Sequence, residues 1–234
     1  MISISIRSLP EVDRYIIVAP SEFESRFSIT GLIHRHVPAC EVVLVDGADV
    51  QPAQLCLAGA RYVGNGEALL VSTGDFYADF DPNELDSLIF KKYDTIAWTY
   101  QMRSTVKKAI NSVALCSFDT GNNLDDIIIG QGQSRLPHID AVLAGTYLYS
   151  DSRYFFECAE KVSYDGKNEI GGGFPACLKV GLEAGQNIGV LPTNSFIPFG
   201  SPFDLQLYEA WEEYFYTEPS HPYKGIVGDI PCDV

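Results

Sequence analysis

Apolar residues along this chain fall into short runs whose spacing switches between strand-like and helix-like periods. Residues 14–19 (RYIIVA) and 41–45 (EVVLV) read as strands, and residues 21–33 between them as a helix opened by Ser21. Residues 54–63 have the length and Ala/Leu content of a helix, and residues 69–72 form a third strand. Asp81 as cap and Pro82 in the first turn then start a short helix. Residues 94–100 and 112–118 are further strands, and the turn 119–123 joins the latter to 124–129 as a hairpin. A strand over 141–149 precedes an amphipathic helix over 152–162, capped by Asp151 or Ser152. A helix over 174–184, closed by Gly185, leads into a strand at 188–191. The opening MISISI alternates with period two, as an edge strand would, yet also suits the end of a helix; the helix is slightly favoured. Strand–helix alternation with an antiparallel insertion predicts a three-layer α/β sandwich. In such sheets ligands sit beyond the carboxyl ends of the strands, which is where Asp75 falls.

Neither a long repeat nor a low-complexity linker divides the 234 residues. The expectation is one domain over 1–216 and a Pro/Gly-containing tail over 217–234. Tyr208, Trp211, Tyr214 and Phe215 recur at three- and four-residue spacing. Such a stripe predicts core packing, with part of it open to a dimer or partner contact.

Charge narrows the function. Sixteen Lys and Arg face 31 Asp and Glu, a formal net of −15. That argues against a nucleic-acid partner, which needs a basic face. It also requires any phosphate ligand to bring Mg²⁺, or to find backbone N–H groups or a local basic patch. No apolar run is long enough for a membrane span, and the N-terminal stretch lacks the pattern of a signal peptide. The expected location is therefore cytoplasmic. The six cysteines form no C-x-x-C pair, which argues against zinc and for reduced thiols. His34 and His36 are spaced like strand neighbours without an acidic or Cys partner pattern, a poor basis for a metal site.

Five phrases, in order, resemble the sugar-nucleotidyltransferase (NDP-sugar pyrophosphorylase) family. They are SLPEVDRYIIV (8–18), LLVSTGDFYADFD (69–81), SFDTGNNLDDIII (117–129), AVLAGTYLYSDSRYFFECAEKV (141–162) and FIPFGSPFDLQLYEAWEEYF (196–215). The resemblance implies a Rossmann-like nucleotide-diphospho-sugar transferase fold with a mixed sheet. It also implies a reaction of an NTP with a sugar 1-phosphate or related ester, releasing pyrophosphate and assisted by Mg²⁺. Asp75 matches the first Mg²⁺ ligand, and so the implied catalytic carboxylate, with Gly74 beside it. Gly145 and Tyr147 match the strand lining the sugar pocket, and Gly172, within GGGF (171–174), falls at a substrate-binding turn. The implied ligands are an NTP or NDP-sugar and a sugar phosphate.

The departures from that family are as informative. Its opening strand and G-x-G-x-R loop, which hold the triphosphate, have no match here, so the expected fold has its first strand missing or replaced. The Glu-Lys expected after residue 129 is Gly130-Gln131-Gly132, with Arg135 the nearest cation. The second metal-binding Asp is Pro198. The expectation is thus a weakly active or inactive nucleotidyltransferase, or a non-catalytic subunit paired with a second copy or a partner through an unsatisfied sheet edge. A glycosyltransferase is a third reading, on Asp79 and Asp81 as a D-x-D motif.

Overall fold

The computed structural model describes residues 2–47, 51–101, 114–129, 141–164 and 173–218. Gly172, the segment 130–140 with Arg135, and all of the tail beyond residue 218 lie outside them. The architecture is a mixed α/β layering, as expected from the alternation. Its first described element is helix α1 (Ile2–Arg7), so the ISISI stretch is helical here. Strand β1 (Tyr15–Pro20) follows, then α2 (Ser21–Phe27), α3 (Ile29–His36) and β2 (Cys40–Val45). The helix expected over 21–33 is broken because Ser28 adopts a left-handed conformation (φ 51°) and donates its N–H to the Glu24 carbonyl. Ser21 is not its cap either: Pro20 holds the cap position, and the Ser21 hydroxyl donates to Asp46 Oδ1 at 2.5 Å. His34 and His36 lie on α3 and not on a strand.

The chain continues through α4 (Pro52–Gly59), β3 (Leu69–Ser72), β4 (Phe76–Asp79) and α5 (Pro82–Phe90). Asp81 caps α5 as expected, its Oδ1 accepting the Asn83 N–H at 2.9 Å. Next come β5 (Thr95–Tyr100), the hairpin of β6 (Ala114–Phe118) and β7 (Leu124–Ile129), and β8 (Ala141–Tyr149). Helices α6 (Ser152–Tyr164) and α7 (Phe174–Glu183) lead to β9 (Ile188–Pro192), β10 (Ser195–Pro198) and α8 (Pro202–Thr217).

The strands form one large sheet and two small ones. The large sheet runs β7-β6-β8-β5-β9, with β3 antiparallel to the last part of β8. β1 and β2 form a separate parallel pair, and β4 and β10 an antiparallel ribbon. The sequence pattern predicts neither strand of that ribbon, since each is held by pairing with the other across more than a hundred residues. Alternate strand residues face opposite helix layers. On one side of the large sheet Val71, Ala97, Tyr147 and Tyr149 pack with Ala53 of α4, Phe155 and Cys158 of α6, and Cys177 and Leu178 of α7. On the other, Ile96, Trp98 and Ala144 pack with Leu85 and Leu88 of α5. Each fully buried side chain of this size contributes about 1.5 to 3 kcal/mol.

The β1–β2 pair repeats the same layering. Tyr15 and Ile17 meet Ile2 and Ile6 of α1 and Ile33 of α3. The opposite face meets α4, where a Cβ on Gly59 would lie 3.4 Å from Ile16 and Val18. Helix α4 therefore covers both the pair and the large sheet, although β1 and β3 do not pair with one another. Helix α8 buries none of its residues, and Trp211 and Tyr214 are about half exposed (52% and 54%). Of the aromatic stripe, Tyr208 lies edge-on to the buried Phe199, while Trp211 stacks on Phe215 and Tyr214 meets both edge-on outside the core.

Candidate functional site

Strand β3 ends at Ser72, and the next three residues turn the chain into β4. Gly74 permits the turn, with φ at +72°, a region that side chains with a Cβ rarely enter. The Thr73 N–H donates to the Gly145 carbonyl at 3.1 Å. Its hydroxyl donates to Asp75 Oδ1 at 2.5 Å, which orients the exposed carboxylate. Gly145 also has positive φ (+85°), and a Cβ there would lie 2.9 Å from Thr73 Oγ1. That glycine sits where β8 changes partner on one edge, from β6 to β3.

A second segment closes on Asp75 from the other side. Pro198 pairs with Phe76, and the Phe199 N–H donates to the Asp75 carbonyl at 2.7 Å. A Cβ at Gly200 would stand 2.7 Å from Asp75 Oδ2, so only glycine leaves that oxygen its place. The two sequence phrases 69–81 and 196–215 thus meet at a single carboxylate. At the position where the resemblance puts a second carboxylate, next to Asp75, the chain carries Pro198. Beside this junction Tyr100, at the end of β5, stacks on Phe196 with ring centres 4.0 Å apart, and Phe196 packs on Phe76. Burial, and then the charge of Asp204, push the Tyr100 phenol above its ordinary pKa, so it is a neutral hydrogen-bonding group at neutral pH.

The structure brings Gly74, Asp75 and, through Thr73, Gly145 together. Tyr147 is placed elsewhere: it is 1% exposed in the main core, edge-on to Phe174, and burial raises its phenol pKa far above the ordinary range. Thr73 and Gly200 are contacts that sequence reasoning did not single out, although Gly200 lies in the quoted FIPFGSPFD phrase. Asp79 and Asp81 have structural partners, Asn194 Nδ2 at 3.3 Å for Asp79 and the α5 cap for Asp81.

Among the described residues no three His, Cys, Asp or Glu side chains gather as metal ligands. One hard carboxylate oxygen does fit Mg²⁺, which is commonly held by one or two carboxylates together with substrate phosphates. Asp75 also lines a cavity of about 1960 Å³ that extends from the Ser72–Asp75 turn along β3 and β1. The cations lining that cavity are Arg14, ion-paired to Glu67, and Lys92. No helix among the described residues is long and apolar enough to cross a membrane.

No protein-family model matches the chain, and no curated protein does. Solved structures do. The fold is similar to that of a nucleoside-diphosphate-sugar pyrophosphorylase from Vibrio cholerae RC9 (TM-score 0.65, 10% identity, 88% of this chain and 83% of that one). It is similar to the inositol-1-phosphate CTP transferase of T. maritima (TM-score 0.61, 17% identity, 86% and 77%). A UDP-glucose pyrophosphorylase solved with UDP-glucose matches at TM-score 0.56 and 14% identity, over 85% and 75%. The chain has the nucleotidyltransferase-type Rossmann-like fold.

Proposed function

We propose that this chain binds a nucleotide or a sugar phosphate at the carboxyl end of β3, with Asp75 as the Mg²⁺ ligand, and that alone it transfers nucleotidyl groups weakly or not at all. The observation that carries the reading is the position of Asp75 in this fold: it follows the strand, is held by the Thr73 hydroxyl with room left for it at Gly200, and faces a large cavity. Bound Mg²⁺ would offset phosphate charge and polarise the phosphorus under attack. The chain's own contribution is to hold the carboxylate still through the Thr73 hydroxyl and to leave room at Gly200. Gly145 lets the Thr73 side chain lie against the sheet. Against strong activity stands the charge around the cavity. Arg14 is engaged with Glu67, which leaves Lys92 as the described cation available there. Losing a single well-placed transition-state donor costs about 3 to 4 kcal/mol, so a site with few donors is slow.

The test is thermal shift with each NTP, sugar phosphates and NDP-sugars, with and without Mg²⁺, followed by pyrophosphate release. Stabilisation by an NTP or NDP-sugar that requires Mg²⁺ and vanishes in Asp75→Asn, with the variant's own melting unchanged, is the expected outcome. Equal stabilisation of the variant would remove Asp75 from the site. Failure of every nucleotide and sugar phosphate to bind would overturn the proposal and favour the second reading, a non-catalytic subunit, for which the strand edges of β1 and β3 left unpaired among the described residues argue independently.

A further inference from the structure

β1 is paired with β2 and β3 with β8, each along one edge. Among the described residues neither makes a backbone hydrogen bond along its other edge. The cavity of about 1960 Å³ lies between those two edges, lined by residues of both strands. Helices of both layers wall it, Ile6 of α1 and Leu85 of α5 from one side, Leu55 of α4 and Phe174 of α7 from the other. It therefore passes through the plane of the sheet. Arg14 immediately precedes β1, Glu67 lies just before β3, and the two form an ion pair. The strands consequently run in the same direction, with their amino ends tied together across the gap.

These are the boundary conditions of a strand position that no described residue fills. Covered on both faces, its occupant has to be apolar at nearly every position, as in buried parallel sheets. It must also satisfy two rows of backbone N–H and C=O groups, which a polypeptide can do and an acyl chain or other apolar ligand cannot. Glu11, Asp13 and Asp94, with Lys92 and the Arg14–Glu67 ion pair among them, line the end where such a strand would begin, and Asp75 the end where it would leave. That surplus of carboxylates favours basic residues at both flanks. A second copy of this chain, itself at −15, is repelled.

We propose that the gap between β1 and β3 is an acceptor site for an extended, apolar, basic-flanked strand of a partner polypeptide, parallel to both neighbours and joining the β1–β2 pair to the large sheet. The proposal goes beyond the nucleotide reading and does not rest on it, since the chain can fail to bind any nucleotide and still accept a strand.

The probe is a fluorescent peptide, KRTVIVIVVGKR, added to the full chain. Two controls accompany it: the same peptide with prolines at its two central positions, which cannot complete a ladder, and a Ser-rich peptide of equal charge. Anisotropy should give saturable one-to-one binding, weakened by about tenfold or more in both controls. Hydrogen exchange should slow by about tenfold or more in 15–20 and 69–72 when the peptide binds, and stay unchanged in 95–100. No binding at the highest soluble peptide concentration overturns the proposal, as does equal binding of either control. Segments 15–20 and 69–72 already as slow as 95–100 in the free monomer would mean that the gap is closed, which also overturns it. Protection that appears without peptide as the chain is concentrated would make a second copy the occupant, contrary to the proposal.

Discussion

The β1–β2 pair and the centre of the large sheet are built from similar sequence, short runs of Ile, Val, Leu and aromatic residues between helices, and they differ in how far that sequence is buried. In β5 every residue from Thr95 to Thr99 is buried, and in β9 the first four are. In β1, YIIVAP, only Ala19 is. Both regions have helices on two faces. What separates them is the lateral neighbour: β5 has β8 on one edge and β9 on the other, whereas among the described residues β1 has β2 alone. A strand's burial is thus set as much by whether both edges are paired as by its own hydrophobicity.

Truncations in the two regions should expose that difference. Leu178→Ala, beneath the large sheet at 1% exposure, should cost about 2 to 5 kcal/mol in urea unfolding. Ile17→Ala in β1, half-buried, should cost about 1 to 2 kcal/mol. Equal losses would mean that β1 is as fully enclosed as the centre, and the comparison would fail. At the junction between the regions, Gly145→Ala combines a left-handed backbone with a close contact to Thr73, and should lower stability by about 1 to 3 kcal/mol. Gly74→Ala meets no atom and carries the backbone strain alone, about 1 to 2 kcal/mol. A larger loss at Gly74 than at Gly145 would show that the contact with Thr73 is not what Gly145 protects. Asp81→Ala removes the α5 cap and should cost about 1 kcal/mol, read as a lowered melting temperature without change in nucleotide response. An altered nucleotide response would return Asp81 to the binding site.

The smallest effect is electrostatic. The Arg153 side chain, with its backbone N–H, draws the Asp151 carboxyl down to about 2. Because this value lies below the ordinary carboxylate pKa of about 3.9, the contribution is complete above that pKa and is lost as pH falls towards about 2. The melting difference between the natural chain and Asp151→Asn should therefore be present at neutral pH and close below about pH 4. A difference that widens in acid would reverse the assignment.

Much of the fold could be read from the chain because its signals are local. Asp81-Pro82 marks a helix start by capping chemistry, Asp119 to Asn123 marks a turn, and β8 shows nine consecutive strand residues. What escaped was decided by contacts that no local pattern announces. Ser28 breaks a helix because Glu24 reaches past it to accept the Thr30 N–H. The strands β4 and β10 exist only by pairing with each other, over a separation of more than a hundred residues. The α8 stripe has the spacing of a core face, but spacing does not say whether a partner layer is present. At the candidate site, the position of Asp75 just after a strand is legible in the sequence. Gly200 was not singled out, because its role is to leave space for a side chain that only folding brings near. Tyr147 matched a pocket strand by phrase, yet strand alternation turns it into the core.

The turn between β6 and β7 settles a question of assembly. Asn123 bridges to Gly189, the Val190 N–H donates to the Asn122 carbonyl, and the Tyr93 hydroxyl donates to Asn123 Oδ1 from beneath. The outer margin of β9 is thereby sealed by the chain's own hairpin tip, with the Tyr93 ring so near Gly189 that a methyl group would not fit. A strand from another molecule could pair along that margin only by first displacing the hairpin tip from Gly189 and Val190.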